Sequence, residues 1–269
     1  MPDPHTFLPN GRRLAAPSWV MPGTVAENCH FLAGKVDEVG LLFLETAASL
    51  AYTETDLPPS LASLPLSFHV HLPVDLPPCG AESATLCHRL MEKVAFLQTK
   101  RAVLHPLPTP ALGSEPDPEL LATAAQYLLD FSRTWKHFGR DTADILLENT
   151  WQCDLTALLP VIASQGFSLC LDTGHALAWN QLFLFAHPEI LTRVRMVHCS
   201  APGRDAAKGQ HLPLTALSPC EAAALREMLF SVSQTAVYML ELFTADDFFG
   251  SLPVLRSWLA TPACTTTTP

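Results

Sequence analysis

The sequence predicts a single (β/α)8 barrel, and three observations carry that reading. Short runs rich in β-formers alternate eight times with stretches of helical character. The chain has 269 residues, and a barrel of this kind needs about 250. No GxGxxG follows an early strand, although an open dinucleotide-binding sheet should carry one.

The expected strands are 40–45 (GLLFLE), 66–71 (LSFHVH), 102–105 (AVLH), 145–149 (ILLEN), 168–172 (SLCLD), 194–199 (VRMVHC) and 236–242 (AVYMLEL), with an eighth near 18–21 (SWVM). Their near-continuous apolar character fits burial on both faces. Helices are expected near 24–36, 81–99, 117–137, 154–164, 178–192, 219–232 and 244–259. A weaker one at 46–64 is interrupted by Pro58 and Pro59. Asp154 and Ser218-Pro219 read as helix starts. The barrel is expected over 17–260, after an N-terminal extension at 1–16 and before a low-complexity, disordered tail at 261–269. Pro-rich loops at 72–80 and 106–117 follow strands, on the side where a barrel keeps its active site.

Composition narrows the function. A hydrophobic fraction of 48% excludes a disordered chain. No apolar run reaches the roughly 18 residues of a membrane span, and the first residues lack the basic-then-apolar order of a signal peptide. A cytoplasmic protein is expected. The 8 cysteines form no CxxC pair, so they read as reduced thiols rather than a zinc ribbon or disulfide frame. Cys170 and Cys199 lie in strands and read as small hydrophobes. The formal charge is −10, with only 16 Lys and Arg. That argues against a nucleic-acid partner, which usually meets a basic face. A small-molecule substrate is expected instead.

The chemistry lies at or beside the strand ends. His71, His105, Glu148, Asp172, His198 and Glu241 occupy six of them, each about one βα unit from the next. All six are metal-ligand types. Taken singly, a strand histidine is ordinarily a hydrogen-bonded core group, a strand-end glutamate a loop-facing charge, and Asp172 a helix cap. Six in succession are poorly explained that way. Three imidazoles and three carboxylates at one barrel mouth are costly to bury unless cations compensate them. Strand parity adds detail: if Glu148 points inward, so does Leu146, while Ile145 and Leu147 face the helices. By the same rule His69 shares the face of His71, one layer deeper, and is a further binding candidate. His175 and His211 extend the cluster, and Gly174 permits a sharp turn that folds His175 over the mouth. Asn149 is positioned to bind substrate or to orient a carboxylate.

Together, ENT at 148–150, DTGH at 172–175, His198, His211 and LEL at 240–242 resemble the xylose-isomerase-like barrels, over roughly 17–245. That superfamily includes sugar isomerases and epimerases and the endonuclease IV type of apurinic-site nuclease. The resemblance implies a one-metal set of Glu148, Asp172, His198 and Glu241, as in the epimerases. His71 and His105 match the histidines that the endonuclease type adds for a second metal, with Glu148 bridging. A third metal would take His175 and His211, but Gly209 stands where that pattern has an aspartate. Asp205 would replace it only if its loop permitted. Within the superfamily, 21–46 and 68–77 are similar to the cobamide-remodelling phosphodiesterases.

The leading expectation is therefore a divalent-metal hydrolase that cleaves a phosphoester, in the nucleotide loop of a cobamide. Zinc suits the mixed ligands, with Mn, Co or Fe as alternatives. Glu148 and Glu241 would be catalytic, and Arg204 would meet a phosphate or sugar. The alternatives are a one-metal sugar isomerase or epimerase, whose substrate would be a sugar phosphate, and a non-catalytic corrinoid-binding protein.

Overall fold

A computed structural model describes residues 7–107, 117–150, 153, 155–203 and 211–260. Eight parallel strands close into a barrel: β1 (Arg13–Pro17), β2 (Glu38–Leu42), β3 (Ser67–His71), β4 (Ala102–Leu104), β5 (Ile145–Glu148), β6 (Ser168–Asp172), β7 (Val194–Cys199) and β10 (Val237–Leu240). Around the barrel the order is β1-β10-β7-β6-β5-β4-β3-β2. Between β7 and β10, a small antiparallel pair, β8 (Ala201–Pro202) and β9 (His211–Leu212), brings His211 to the mouth.

The first strand lies earlier in the chain than 18–21, inside the segment read as an extension. The reason is local. The N–H groups of Val20 and Met21 donate to Asn28 Oδ1 at 2.8 and 3.1 Å. A side chain therefore takes the backbone donors that a strand at 18–21 would have offered its neighbour. The tail 261–269 and the cap at Asp154 lie outside the described residues.

The helices are α1 (Val25–Leu32), α2 (Thr46–Ala51), α3 (Gly80–Lys93), α4 (Pro118–His137), α5 (Leu159–Gln165), α6 (Thr173–Ala178), α7 (Pro188–Leu191), α8 (Pro219–Ser231) and α9 (Ala245–Ala260). Ser218 forms a capping box with Glu221 on α8, as its sequence suggested. The expected helix at 178–192 is instead split into a 3-10 turn at Leu182–Ala186 and the short α7, with Pro188 opening the second piece. α6 starts directly at the end of β6, and that early start positions part of the site. No helix among the described residues is long and apolar enough to cross a membrane.

Two cores separate as the strand alternation requires. Inside the barrel lie Ala15, Val103, Leu146, Cys170, Met196, Val237 and Met239. Ile145 and Leu147 join the larger layer between strands and helices. Leu146 thus shares the inner face with Glu148, as parity predicts. Lower in the barrel, the buried Glu38 takes Nδ1–H of His69 at 2.8 Å and Nη2 of Arg101 and Arg13 at 2.6 and 3.1 Å. Gly40 makes room for this arrangement, because a Cβ there would sit 2.7 Å from Nε2 of His69.

Candidate metal centre

The mouth gathers all six strand-end residues. Glu148, at the end of β5, is their common neighbour. Its Oε2 lies 3.4 Å from Nε2 of His71 and 3.4 Å from Nε2 of His105. Its Oε1 lies 3.4 Å from Nδ1 of His198. Nδ1 of His198 in turn stands 2.9 Å from Oε2 of Glu241, without hydrogen-bond geometry. Two sets of donor atoms each fall within 4.8 Å of one another: His71, His105 and Glu148, and Glu148, Asp172, His198 and Glu241.

These donors fit a metal on two counts. Among buried side-chain atoms without a hydrogen-bond partner are His105 Nε2, Glu148 Oε2, Asp172 Oδ2, Glu241 Oε2 and both ring nitrogens of His198. Buried polar atoms are rarely left so, and a cluster of them around one space asks for a cation. The spacing agrees. Ligands of a tetrahedral ion with bonds of about 2.1 Å stand about 3.4 Å apart, whereas a hydrogen-bonded pair would close to roughly 2.8 Å.

The surrounding bonds set the ligands. His71 donates Nδ1–H to the carbonyl of Leu72 at 3.0 Å, which turns the bare Nε2 toward Glu148. Asp172 caps α6: its Oδ1 accepts the His175 N–H at 2.6 Å, while Oδ2 remains available. Thr173 ties α6 to the end of β7, its hydroxyl donating to Ser200 O and accepting from Ser200 N. Gly174 is required by close approach, because a Cβ there would stand 2.5 Å from Ser200 Oγ. The DTGH run is thus a cap, a tie, a gap and an imidazole.

His175 and His211 stand above this floor, with ring centroids 5.6 Å apart. His175 Nδ1 donates to Asn149 O at 2.8 Å, and His211 Nδ1 bonds Ser200 Oγ at 3.1 Å. Among the described residues no third ligand joins them. Arg204, Asp205 and Gly209 lie outside the described residues.

Two of the predicted binding residues have protein partners of their own. Asn149 is buried and fully engaged: its amide donates to Asp172 O and Gln181 Oε1 at 3.1 Å each and accepts Asp172 N–H at 2.7 Å. It braces β5 against β6 and orients the aspartate, one of the two roles its position suggested. His69 is paired with a carboxylate. It sits a layer below the mouth, buried and committed to Glu38. Sequence reading missed Glu38, because its pairing depends on the β2–β3 register. It also took Cys170 as packing alone. The thiol lies with Glu148 and His198 in a third donor group, although burial pushes it up to about 12 and keeps it protonated.

Electrostatics describe a site short of positive charge. Burial opposes ionisation of Glu148, yet His198 and His105 hold it well below the usual carboxylate range. Burial works against a charged His198 too, but Glu241 and Glu148 raise it well above an ordinary imidazole. Burial raises Asp172, with His175 and His211 partly offsetting it. A proton on His198 stands in the role a divalent cation would take.

No protein-family model and no curated sequence matches the chain. Solved structures do. A D-tagatose 3-epimerase-like protein aligns with a TM-score of 0.66 at 18% identity, over 92% of this chain and 97% of its own. A zinc-bound IolI protein aligns with a TM-score of 0.64 at 13% identity, over 94% and 100%. A xylose isomerase-like TIM barrel protein from Mycobacterium smegmatis, in complex with magnesium, gives 0.56 at 16% identity, over 97% and 100%. The chain folds as these barrels do. At such identities the likeness establishes the (β/α)8 fold and leaves the reaction to the site itself.

Proposed function

We propose that the protein is a divalent-metal hydrolase of small phosphodiesters. The observation that carries this reading is the geometry at Glu148, whose Oε2 faces His71 and His105 while its Oε1 faces His198. One carboxylate is thereby shared between two donor sets. Two cations sharing a carboxylate, when bound, lower the pKa of a coordinated water and neutralise the oxygens of a phosphoryl group. His71 and His105 would hold one ion with Glu148. Asp172, His198 and Glu241 would hold the other. The imidazole and carboxylate mixture suits zinc, with Mn, Co or Fe as alternatives.

The remaining residues act around that centre. Nδ1 of His175 is fixed on Asn149 O, so its Nε2 is the nitrogen free to donate to a phosphoryl oxygen or accept a proton. His211, anchored through Nδ1 on Ser200, presents its other nitrogen in the same way. The net charge of −10 suits a small substrate better than a duplex. The likeness of 21–46 and 68–77 to the cobamide-remodelling enzymes favours the phosphodiester in the nucleotide loop of a cobamide.

A second reading is a one-metal sugar isomerase or epimerase. The comparisons lean this way, since the neighbour with the highest TM-score among those described is named epimerase-like. Here Glu148 and Glu241 would exchange a proton at the carbon beside a carbonyl. Metal content separates the two. The hydrolase should carry two or more equivalents by plasma mass spectrometry, with one lost in His105→Ala. It should also split a cobamide into two products of the expected masses. One equivalent, unaffected by His71→Ala or His105→Ala, would establish the isomerase instead. Cobamide bound but recovered intact with both metals present would leave only a corrinoid-binding role.

A further inference from the structure

The rim of the mouth differs between its two sides, although the metal-ligand candidates span both, since His71 ends β3 and Glu241 follows β10. His105, Glu148, Asp172 and His198 lie at β4, β5, β6 and β7, which are neighbours. The other arc consists of β3, β2, β1 and β10, also neighbours. Just beyond the ends of those four strands stand Val74, Leu44, Trp19 and Phe243, with 57, 40, 55 and 38% of their surface exposed. These are four of the five large hydrophobic residues exposed among the described residues. Scattered exposed apolar side chains need no explanation, but four that follow neighbouring strands at one rim ask for one, and two of them are tied by the Val74 N–H to Leu44 O bond at 3.2 Å.

A cavity of about 380 Å3 opens in this arc, walled by Trp19, Leu42, Leu44 and Tyr52. That volume falls in the small-molecule range of about 300–1,000 Å3. Leu42 pairs in register with His71, so one wall residue of the cavity is the strand neighbour of a metal-ligand candidate, although none of the six lines the cavity itself. Phe43 packs edge-on against Tyr52 at 5.6 Å and stiffens the aromatic wall. Glu45 and Asp56 also line the cavity, and among the described residues no Lys or Arg does. The walls suit a flat apolar face. The carboxylates accept hydrogen bonds and repel a second anion.

We propose that this cavity seats a planar, uncharged nitrogen heterocycle that forms one arm of the substrate, while the phosphoryl group lies over the metal centre. The proposal rests on the hydrolase reading for the phosphoryl arm, but the cavity makes its own demand. The substrate class becomes a phosphodiester carrying a nucleoside-like ring, with the ring against Trp19 and Tyr52 and its N–H edge toward Glu45 or Asp56.

Adenosine and benzimidazole are the probes, titrated calorimetrically into the metal-loaded protein, with ribose as the ring-free control. Both rings should bind saturably and ribose should not. Trp19→Ala removes a stacking wall, and Ala48→Trp fills the cavity that Ala48 lines. Each should weaken ring binding about tenfold or more, as loss of a base–aromatic contact does, with metal content and melting temperature unchanged. Absence of saturable ring binding, or equal binding in both variants, overturns the proposal. So does a concentration-dependent dimer that Trp19→Ala dissolves, which would assign the arc to a second copy of the chain. Glu148→Gln separates the two ideas. Retained ring binding with no hydrolysis in the unaltered protein would sink the hydrolase reading alone.

Discussion

Glu38→Gln tests the charge cluster inside the barrel. Glu38 is fully buried. Burial alone would raise its pKa, but the His69 hydrogen bond and the charges of His69, Arg101 and Arg13 outweigh it and hold the group at about 2, against an ordinary 4.5. At about 1.4 kcal/mol per pKa unit, that difference makes the ionised carboxylate worth about 3 kcal/mol to the fold at neutral pH. The sign is that of a depressed acid. The stability is fully present above the unfolded-state value near 4.5 and is lost as pH falls through it toward 2. His69 is lowered as well, by burial acting against the support that Glu38 gives its protonated form, so its contribution also falls away on the acid side of 6.5. The gap between wild type and Glu38→Gln should therefore hold near neutral pH and collapse as pH falls through 4.5 toward 2. Urea unfolding of both proteins from pH 7 to pH 2.5 reads that gap directly, and the carboxylates at the mouth cancel in the difference. Arg13 and Arg101 keep part of their side chains in water, 41 and 26%, so they resolvate and the loss stays below the worst case for a broken buried ion pair. A gap that is independent of pH, or under about 1 kcal/mol at pH 7, would refute the reasoning.

Three further outcomes follow from the same geometry. Asn149→Ala should cost about 2–4 kcal/mol by stranding the Asp172 N–H and the Gln181 side chain, and should weaken metal binding about 10–100-fold; a melting curve and a metal titration check the two effects. Gly40→Ala should destabilise by about 1–3 kcal/mol, because the new methyl meets His69 Nε2 and, at 3.1 Å, Met239 Sδ; an unchanged urea midpoint would contradict the packing described. Chelation should lower the melting temperature, since a site filled to 100 times its Kd contributes about 2.7 kcal/mol; a melting curve indifferent to chelator would deny that the cluster holds metal.

Much of the barrel is legible in the sequence, for a physical reason. Alternation puts Leu146 and Glu148 on one face, and strand ends converge whatever the exact register, so His71, His105, Glu148, Asp172, His198 and Glu241 meet in space as they line up in sequence. What depends on register or on local hydrogen bonds is not legible. The first strand shifts because Asn28 takes the donors of Val20 and Met21. Asn149 turns out to be a brace because Asp172 offers it both a carbonyl and an N–H. His69 finds Glu38 only through the pairing of β2 with β3. The apolar side of the rim is invisible residue by residue, since Trp19, Leu44, Val74 and Phe243 each sit alone in a different loop.

The sharing of Glu148 bears on how such a protein changes over generations. Four of its ligands, on β5, β6, β7 and the end of β10, form a complete set without His71 and His105. Two codons, at the ends of β3 and β4, therefore separate a mononuclear mouth from a dinuclear one. If both sets bind metal as proposed, a lineage could cross between them without dismantling the four-residue set, because the residue common to both is already in position.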